Sequence, residues 1–225
     1  MLSRVLEPEA MDTPDEALVY DAMDHAAVNH LFVADFLAAH GPCRGGAILD
    51  VGTGPARIPI ALCQADPKAN ILGIDLARHM LDRARRNVEE SALSDRIKLQ
   101  LVDAKGVPYP DGQFEAVISN SIVHHIADPT LAVAEMLRLV APGGTLFVRD
   151  LCRPEDAAAL AALVQAYAAE ESESARVLFS ASLGAALTLE EMRGLVAARG
   201  QQPEGVVISS DRHWTWTWRR PNDVP

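Results

Sequence analysis

The chain is poor in the features that mark several large protein classes. It has only three cysteines, Cys43, Cys63 and Cys152. Three cannot all pair, and none stands at a metal-ligand spacing, so they read as reduced packing residues of a cytoplasmic protein. The histidines lack ligand spacing too, and no metal site is expected. No apolar run reaches the ~18 residues that a membrane span needs. The opening residues MLSRVLEPEAMD have no hydrophobic core of the signal-peptide kind. Basic residues are also scarce: 20 Lys and Arg stand against 31 Asp and Glu, a net charge of −11. A phosphate backbone repels a chain so acidic, and the one basic cluster, Arg83, Arg85 and Arg86, reads as a solvated helical face. Neither nucleic acid nor membrane is expected as a partner; a monomer or homodimer acting on a small molecule is. Internal repeats are absent, and no second domain is apparent.

What is present is an ordinary globular composition, 49% hydrophobic and 23% charged, with enough chain for one full core. It is organised around residues 47–60, AILDVGTGPARIPI. An apolar strand ends at Asp50, and Gly52-Thr53-Gly54 then opens a helix. Strand, glycine turn and helix start are the local geometry of a nucleotide-type cofactor site, although GxG alone is a weak signal. A second strand, 70–74, ends in Asp75, 23 residues after Gly52, and an acid at about this distance binds ribose hydroxyls in dinucleotide folds. Strands at 96–102 and 114–118 run into Asp103-Ala104 and Ser119-Asn120-Ser121. Polar residues therefore recur at the carboxyl ends of successive strands, where open α/β sheets bind ligands.

Helices are expected between them. Thr13-Pro14-Asp15-Glu16 is a capping box that opens a helix to about Ala22. A second runs from about Asp24 to His40, and the next cover 56–65 and 78–91. Residues 105–112 form a loop. Pro129 starts a helix that Pro142-Gly143-Gly144 ends, and a fifth strand covers 145–148. After Asp150 two helical segments, 154–170 and up to 186, form an insertion too long for a simple connection. Thr188 caps a helix to Gly200, and strands at 206–208 and 214–218 close the chain, Trp214, Trp216 and Trp218 sharing one face. The alternation implies an α/β fold: a doubly wound, mostly parallel seven-stranded sheet with helices on both faces. One domain of residues 1–225 is expected, made of a helical N-terminal cap (1–42), a cofactor-binding core (43–151), a helical insertion (152–187), and a last helix with two strands (188–225).

In the order and spacing of ILDVGTGPAR, GIDLA, VDA, FEAVISNSIVHHI and LRLVAPGGTLFVRD, the chain resembles the class I S-adenosylmethionine-dependent methyltransferases. The resemblance is close over residues 46–151. It implies the Rossmann-like methyltransferase fold and S-adenosylmethionine as cofactor, with S-adenosylhomocysteine as product. It also assigns roles: Asp50, Gly52, Thr53 and Gly54 at the methionine end, Asp75 on the ribose, Leu76 and Met80 on the adenine. Asp103 and Ala104 are assigned to the adenine edge, and Asn120 and Ser121 to the sulfonium. In this family N-terminal helices commonly cover the cofactor, which makes Tyr20 and His25 a candidate lid, and the insertion after strand 5 a candidate second wall of the acceptor pocket. Arg57 departs from the pattern. It stands where the dinucleotide fingerprint has a small residue, which disfavours NAD, and it differs from the usual methyltransferase residue as well. A contact with the methionine carboxylate is its candidate role.

The acceptor is less determined. His124 and His125 directly follow the fourth strand and are the candidate catalytic residues, as a general base or as pocket wall; a base is needed only when the nucleophile arrives protonated. Asp150, Arg212 and His213 are placed to join Tyr20 and His25 in a polar pocket. This composition favours a polar acceptor methylated on nitrogen or sulfur over one methylated on oxygen. The alternatives are carbon methylation of a quinone-type ring, a non-catalytic S-adenosylmethionine-binding protein, and an NAD-dependent oxidoreductase.

Overall fold

Seven strands are placed where the apolar runs required them. The computed structural model describes residues 2–10, 12–23 and 25–222. The strands are β1 (Ala47–Val51), β2 (Asn70–Asp75), β3 (Ile97–Leu101), β4 (Phe114–Asn120), β5 (Val140–Leu151), β6 (Val206–Ile208) and β7 (His213–Arg219). They form one sheet in the order β3-β2-β1-β4-β5-β7-β6. β1 pairs parallel with β2 and β4, and β2 with β3; β6 and β7 are antiparallel. The central strands are buried on both faces, and so read as nearly continuous apolar runs rather than alternating ones.

The helices are α1 (Pro14–Ala22), α2 (Ala26–His40), α3 (Arg57–Ala65), α4 (Arg78–Glu90), α5 (Thr130–Leu139), α6 (Ala157–Ala168), α7 (Glu173–Ala185) and α8 (Leu189–Ala198). Capping boxes start α1 and α8. Thr13 Oγ1 accepts from the Glu16 N–H at 3.3 Å, and Thr13 N–H donates to Glu16 Oε2 at 3.1 Å. Thr188 and Glu191 repeat the exchange at 3.2 and 2.8 Å. Each cap satisfies orphan N–H groups and contributes about 1 kcal/mol.

Several boundaries differ from expectation, among them that of α6, which covers Ala157–Ala168 rather than 154–170. Helix α2 begins at Ala26; Asp24, its expected start, lies outside the described residues. Strand β5 begins at Val140 and includes Pro142-Gly143-Gly144 instead of starting after it. The glycine at 144 serves close packing rather than helix termination. A Cβ there would stand 2.7 Å from both the Ala141 and the Glu115 carbonyl oxygens.

The chain packs as two compact units. One comprises Met11–Asn120, Thr130–Val148 and Thr217–Pro225; the other comprises Met1–Ala10, Ser121–Pro129 and Arg149–Trp216. In the first, Phe32 and Phe36 of α2 meet Phe147 of β5 edge-on, at centroid distances of 5.1 and 5.9 Å. They join Ile48, Ile71, Ile118 and Leu62 in its core. Burying such a side chain contributes about 1.5–3 kcal/mol. In the second, Leu151 and Leu183 are buried, with Leu160, Leu163, Val164 and Phe179 packed against them. The inserted helices α6 and α7 thus have a core of their own.

Candidate functional site

In the first unit the β1–α3 turn is the centre of the site. Gly52 and Gly54 take φ values of +74° and +51°, a region open to glycine at no steric cost. The turn's backbone donors are spent internally. Gly52 and Thr53 N–H both donate to the Ile74 carbonyl at 2.9 Å, and Ala56 N–H donates to the Thr53 carbonyl at 3.0 Å. Gly54 N–H donates to Asp75 Oδ2 at 2.8 Å. Pro55 and Pro59, the latter in the first turn of α3, have no N–H to offer.

A phosphate-binding loop works by aiming free backbone N–H groups at an anion. Here four such groups are occupied, and two carboxylates border the turn instead. Asp50 is 2% exposed. Burial pushes its carboxyl up to about 7, with the Asp75 charge adding to the shift. Burial also raises Asp75, against the opposing pull of the Ala77, Gly54 and Leu76 N–H groups. Asp75 therefore acts as a turn former through Gly54 and Ala77, the latter at 2.8 Å, while its remaining lone pairs stay available to hydroxyl donors. A turn of this kind suits a cationic ligand with hydroxyls and disfavours a pyrophosphate.

The other expected cofactor residues stand in the same unit, apart from Ser121. The Asn120 Oδ1 is buried at the end of β4 with no hydrogen-bond partner among the described residues. Leu76 is 41% exposed, whereas Met80 is buried in α4. Asp103 Oδ1 accepts from Lys105 N–H at 2.9 Å and lies 3.2 Å from its Nζ; Ala104 is half-buried. A Cβ built on Gly54 would lie 3.9 Å from the Tyr20 ring, which stands 5.3 Å from the His25 ring. Tyr20 and His25 line one cleft with Asp50, Gly54, Arg57 and Asn120.

Arg57 is anchored by Asp21, a residue that the sequence did not single out. Asp21 of α1 accepts from Arg57 Nε at 2.8 Å, Arg83 Nη2 at 2.5 Å and Asn87 Nδ2 at 3.0 Å. Burial opposes the Asp21 charge, but the two guanidinium groups outweigh it and hold its carboxyl below the usual range. The prolines at 55 and 59 were a second overlooked signal, visible in the sequence as missing donors at a helix start.

The second unit holds the remaining candidates. Ser121 has φ +60° and donates its N–H to the Arg149 carbonyl at 2.9 Å. The chain then forms a 3₁₀ turn, Val123–His125. Asp150 is its anchor: Oδ2 accepts from Val123 N–H at 2.6 Å, and Oδ1 lies 2.5 Å from His124 Nδ1. Burial opposes charge on His124, yet the Asp150 and Glu7 carboxylates outweigh it and raise the pKa. His125, whose ring centroid lies 4.2 Å from that of His124, is pushed down to about 4 by burial and by the charge of His124. His213 is also pushed down to about 4, chiefly by burial, and its Nδ1 lies 2.8 Å from Ser210 Oγ. Arg212 lies over the Tyr167 ring at 3.4 Å and pairs with Asp211 at 3.0 Å, a cation–π contact reinforced by a carboxylate. Glu7 and Arg4, which the sequence did not single out, belong to the His124 cluster.

A doubly wound sheet with a cation-favouring turn at the carboxyl end of β1 defines a Rossmann-like protein of the nucleoside-binding kind. Residues 49–148 match the model of the methyltransferase domain family, and the fold is that of the class I S-adenosylmethionine-dependent methyltransferases. The phosphatidylethanolamine N-methyltransferase of Cereibacter sphaeroides is 35% identical over 111 residues, 49% of this chain and 53% of that protein. The demethylmenaquinone methyltransferase of Deinococcus radiodurans is 38% identical over 116 residues, 52% and 46% of the respective chains. The chain thus spans about half the length of the curated relatives it matches. A Methanococcus maripaludis protein assigned to the S-adenosyl-L-methionine-dependent methyltransferases shares the fold, with TM-score 0.71 and 17% identity over 98% of this chain and 99% of that one.

Proposed function

We propose that this protein is an enzyme of one catalytic domain, residues 1–225, that methylates a polar small molecule on nitrogen or sulfur. The observation that carries the cofactor assignment is the state of the β1–α3 turn, with its backbone donors occupied and Asp50 and Asp75 beside it. S-adenosylmethionine fits it, since its amine and sulfonium are cationic and its ribose offers hydroxyl donors; when bound, it supplies an electrophilic methyl group. Asp50 then faces the methionine amine, and the Thr53 hydroxyl and Gly52 and Gly54 carbonyls lie along the same end. Arg57, its Nε committed to Asp21, has its Nη groups for the carboxylate. Asp75 takes the ribose hydroxyls, Leu76 and Met80 pack on the adenine, and Asp103 and Ala104 meet its edge. The unpartnered Asn120 Oδ1, with Ser121, faces the sulfonium.

Methyl transfer is an in-line displacement in which positioning supplies much of the rate. The chain's own task is to orient the acceptor and take a proton when the nucleophile carries one. His125 is the proton acceptor in this reading: it is neutral near pH 7, and its Nδ1 has no hydrogen-bond donor among the described residues. His124, held by Asp150, fixes the turn that presents it. Of the residues assigned to the acceptor, Tyr20 and His25 belong to the first unit and Arg212 and His213 to the second. The relative in Cereibacter sphaeroides named for N-methylation supports nitrogen. The one in Deinococcus radiodurans, named for a quinone precursor, supports the second reading, carbon methylation of a quinone-type ring. A cytoplasmic monomer or homodimer that binds no nucleic acid accords with the net charge of −11.

The experiment is calorimetric titration of S-adenosylmethionine, S-adenosylhomocysteine and NAD, followed by a panel of amine, thiol, hydroxyl and quinol acceptors. Micromolar binding of the first two, lost in Asp75→Ala, together with turnover of an amine or thiol, is the expected result. Binding of NAD alone overturns the cofactor assignment. Turnover of quinols alone replaces the acceptor class, and binding without any turnover makes the protein a sensor.

A further inference from the structure

Oε1 of Glu7 is shared between two imidazole nitrogens. It lies 3.1 Å from His125 Nδ1 and 3.4 Å from His124 Nε2. The three ligating atoms stand within 4.8 Å of one another. Glu7 and His124 have side chains 10% and 3% exposed, so this is an interior arrangement and not a surface coincidence.

Its protonation is unusual. His124 Nδ1 is committed to Asp150, which leaves Nε2 facing Glu7. His125 bonds to the backbone of Pro8. Proline offers only a carbonyl there, so the imidazole N–H must be the donor. Because Nδ1 has no hydrogen-bond partner among the described residues, that N–H is on Nε2, and the Nδ1 lone pair points at a carboxylate oxygen. Glu7 Oε1 is likewise a buried acceptor with no hydrogen bond. Two facing acceptors at 3.1 Å need a cation or a proton between them.

We propose that Glu7, His124 and His125 form a three-ligand site for a divalent first-row transition-metal ion such as zinc. Two imidazoles and one carboxylate are the donor set of open catalytic zinc and non-haem iron sites, and nitrogen donors favour such ions over magnesium or calcium. The spacing agrees: ligands at ~2.0–2.1 Å around a tetrahedral or octahedral centre stand roughly 3 Å apart. Each ligand also has its outer partner. Asp150 holds His124, the Pro8 carbonyl holds His125, and Ser182 Oγ lies 3.4 Å from Glu7 Oε2. Such partners set ring tautomers and orientations at metal centres.

The strand of chain that carries Glu7 is fixed in advance. Val5 N–H donates to the Gly184 carbonyl at 3.1 Å. Arg4 donates through Nε to the Ala185 carbonyl at 2.7 Å and through Nη2 to the Ile126 carbonyl at 3.0 Å. Glu7 is therefore held beside the histidine turn by the residues just before it in the chain. Sequence spacing could not show this site, because one ligand lies near the start of the chain and the other two lie beyond β4.

The inference does not rest on the methyl-transfer reading, since binding is measured directly. With an ion in place His125 is a ligand and no longer a proton acceptor, and the ion takes over that task by acidifying a coordinated amine, thiol or hydroxyl. The test uses the full chain after dialysis against chelator. One equivalent of zinc is expected to bind, cobalt(II) to give visible ligand-field absorption, and magnesium to give no signal. Glu7→Gln and His125→Asn are expected to weaken zinc at least tenfold, with partial recovery in Glu7→Asp. In the wild type, paramagnetic cobalt(II) should broaden the His124 and His125 ring signals before those of His30 and His79, a readout independent of variant folding. Absence of stoichiometric binding, undiminished affinity in a folded Glu7→Gln, or broadening confined to other histidines overturns the proposal. Each of these leaves the proton-acceptor role of His125 intact.

Discussion

The side chain of Thr53 occupies the space that a Cβ on Gly73 would need: that atom would lie 2.7 Å from Thr53 Oγ1 and 3.0 Å from its Cβ. Gly73 faces Asp50 across the β1–β2 ladder, so the β1–α3 turn rests on a bare stretch of β2. Gly73→Ala is expected to cost about 1–3 kcal/mol by overpacking and to weaken S-adenosylmethionine binding by displacing the turn. Thermal melts and calorimetry check this; an unchanged affinity would show that the turn does not depend on this support.

Asp50 gives a pH dependence with a definite sign. Its folded pKa, about 7, lies above the ordinary carboxyl value. Its contribution to stability is therefore present at low pH and is lost as the pH rises through about 7. Relative to Asp50→Asn, the wild type is expected to lose on the order of 4 kcal/mol between pH 4 and 8, read from denaturant melts at each pH. A cationic ligand should also expel the Asp50 proton, so that the binding enthalpy near pH 7 varies with the ionisation enthalpy of the buffer.

Asn120 separates apo stability from cofactor affinity. Its Oδ1 is buried without a partner among the described residues, and an apolar replacement of similar shape removes that cost of about 1 kcal/mol or more. Asn120→Leu is expected to raise the melting temperature of the unliganded protein and to weaken S-adenosylmethionine at least tenfold, about 1.4 kcal/mol. A variant that binds as tightly as the wild type would remove Asn120 from the site.

Asp21 ties α1 to the helices behind the turn. Asp21→Ala leaves Arg83 and Arg57 without their carboxylate and Asn87 Nδ2 without one of its acceptors, and is expected to destabilise by about 1–3 kcal/mol. The folded pKa of Asp21 is depressed, so this stabilisation is present above the unfolded value and is lost as the pH falls through the folded one. Wild type and variant should therefore converge in stability toward strongly acidic pH.

The strand–turn–helix at Ala47–Ile60 and the acids that end β1 and β2 were legible because their signals are local: apolar runs, glycines, a fixed spacing. The start of β5 was misread for the same reason. Pro142-Gly143-Gly144 is a stop signal in any local view, whereas Gly144 answers to the carbonyl of Glu115, a distant residue. Asp21 and Glu7 escaped altogether. Each earns its place through partners far along the chain, and no periodicity announces a partner. Asp150 was legible as a polar residue at a strand end, but its task, anchoring the turn that carries His124, depends on the fold.

The occupied N–H groups of the β1–α3 turn have a consequence for selectivity. Adenosine is the common handle of many metabolites, and most of them carry it on a chain of phosphates. A pocket that judged only the nucleoside would be crowded by ATP and its relatives. With the N–H groups of Gly52, Thr53, Gly54 and Ala56 already occupied and Asp50 and Asp75 beside them, the β1–α3 turn offers a phosphate chain none of those four amides and favours a cation in their place.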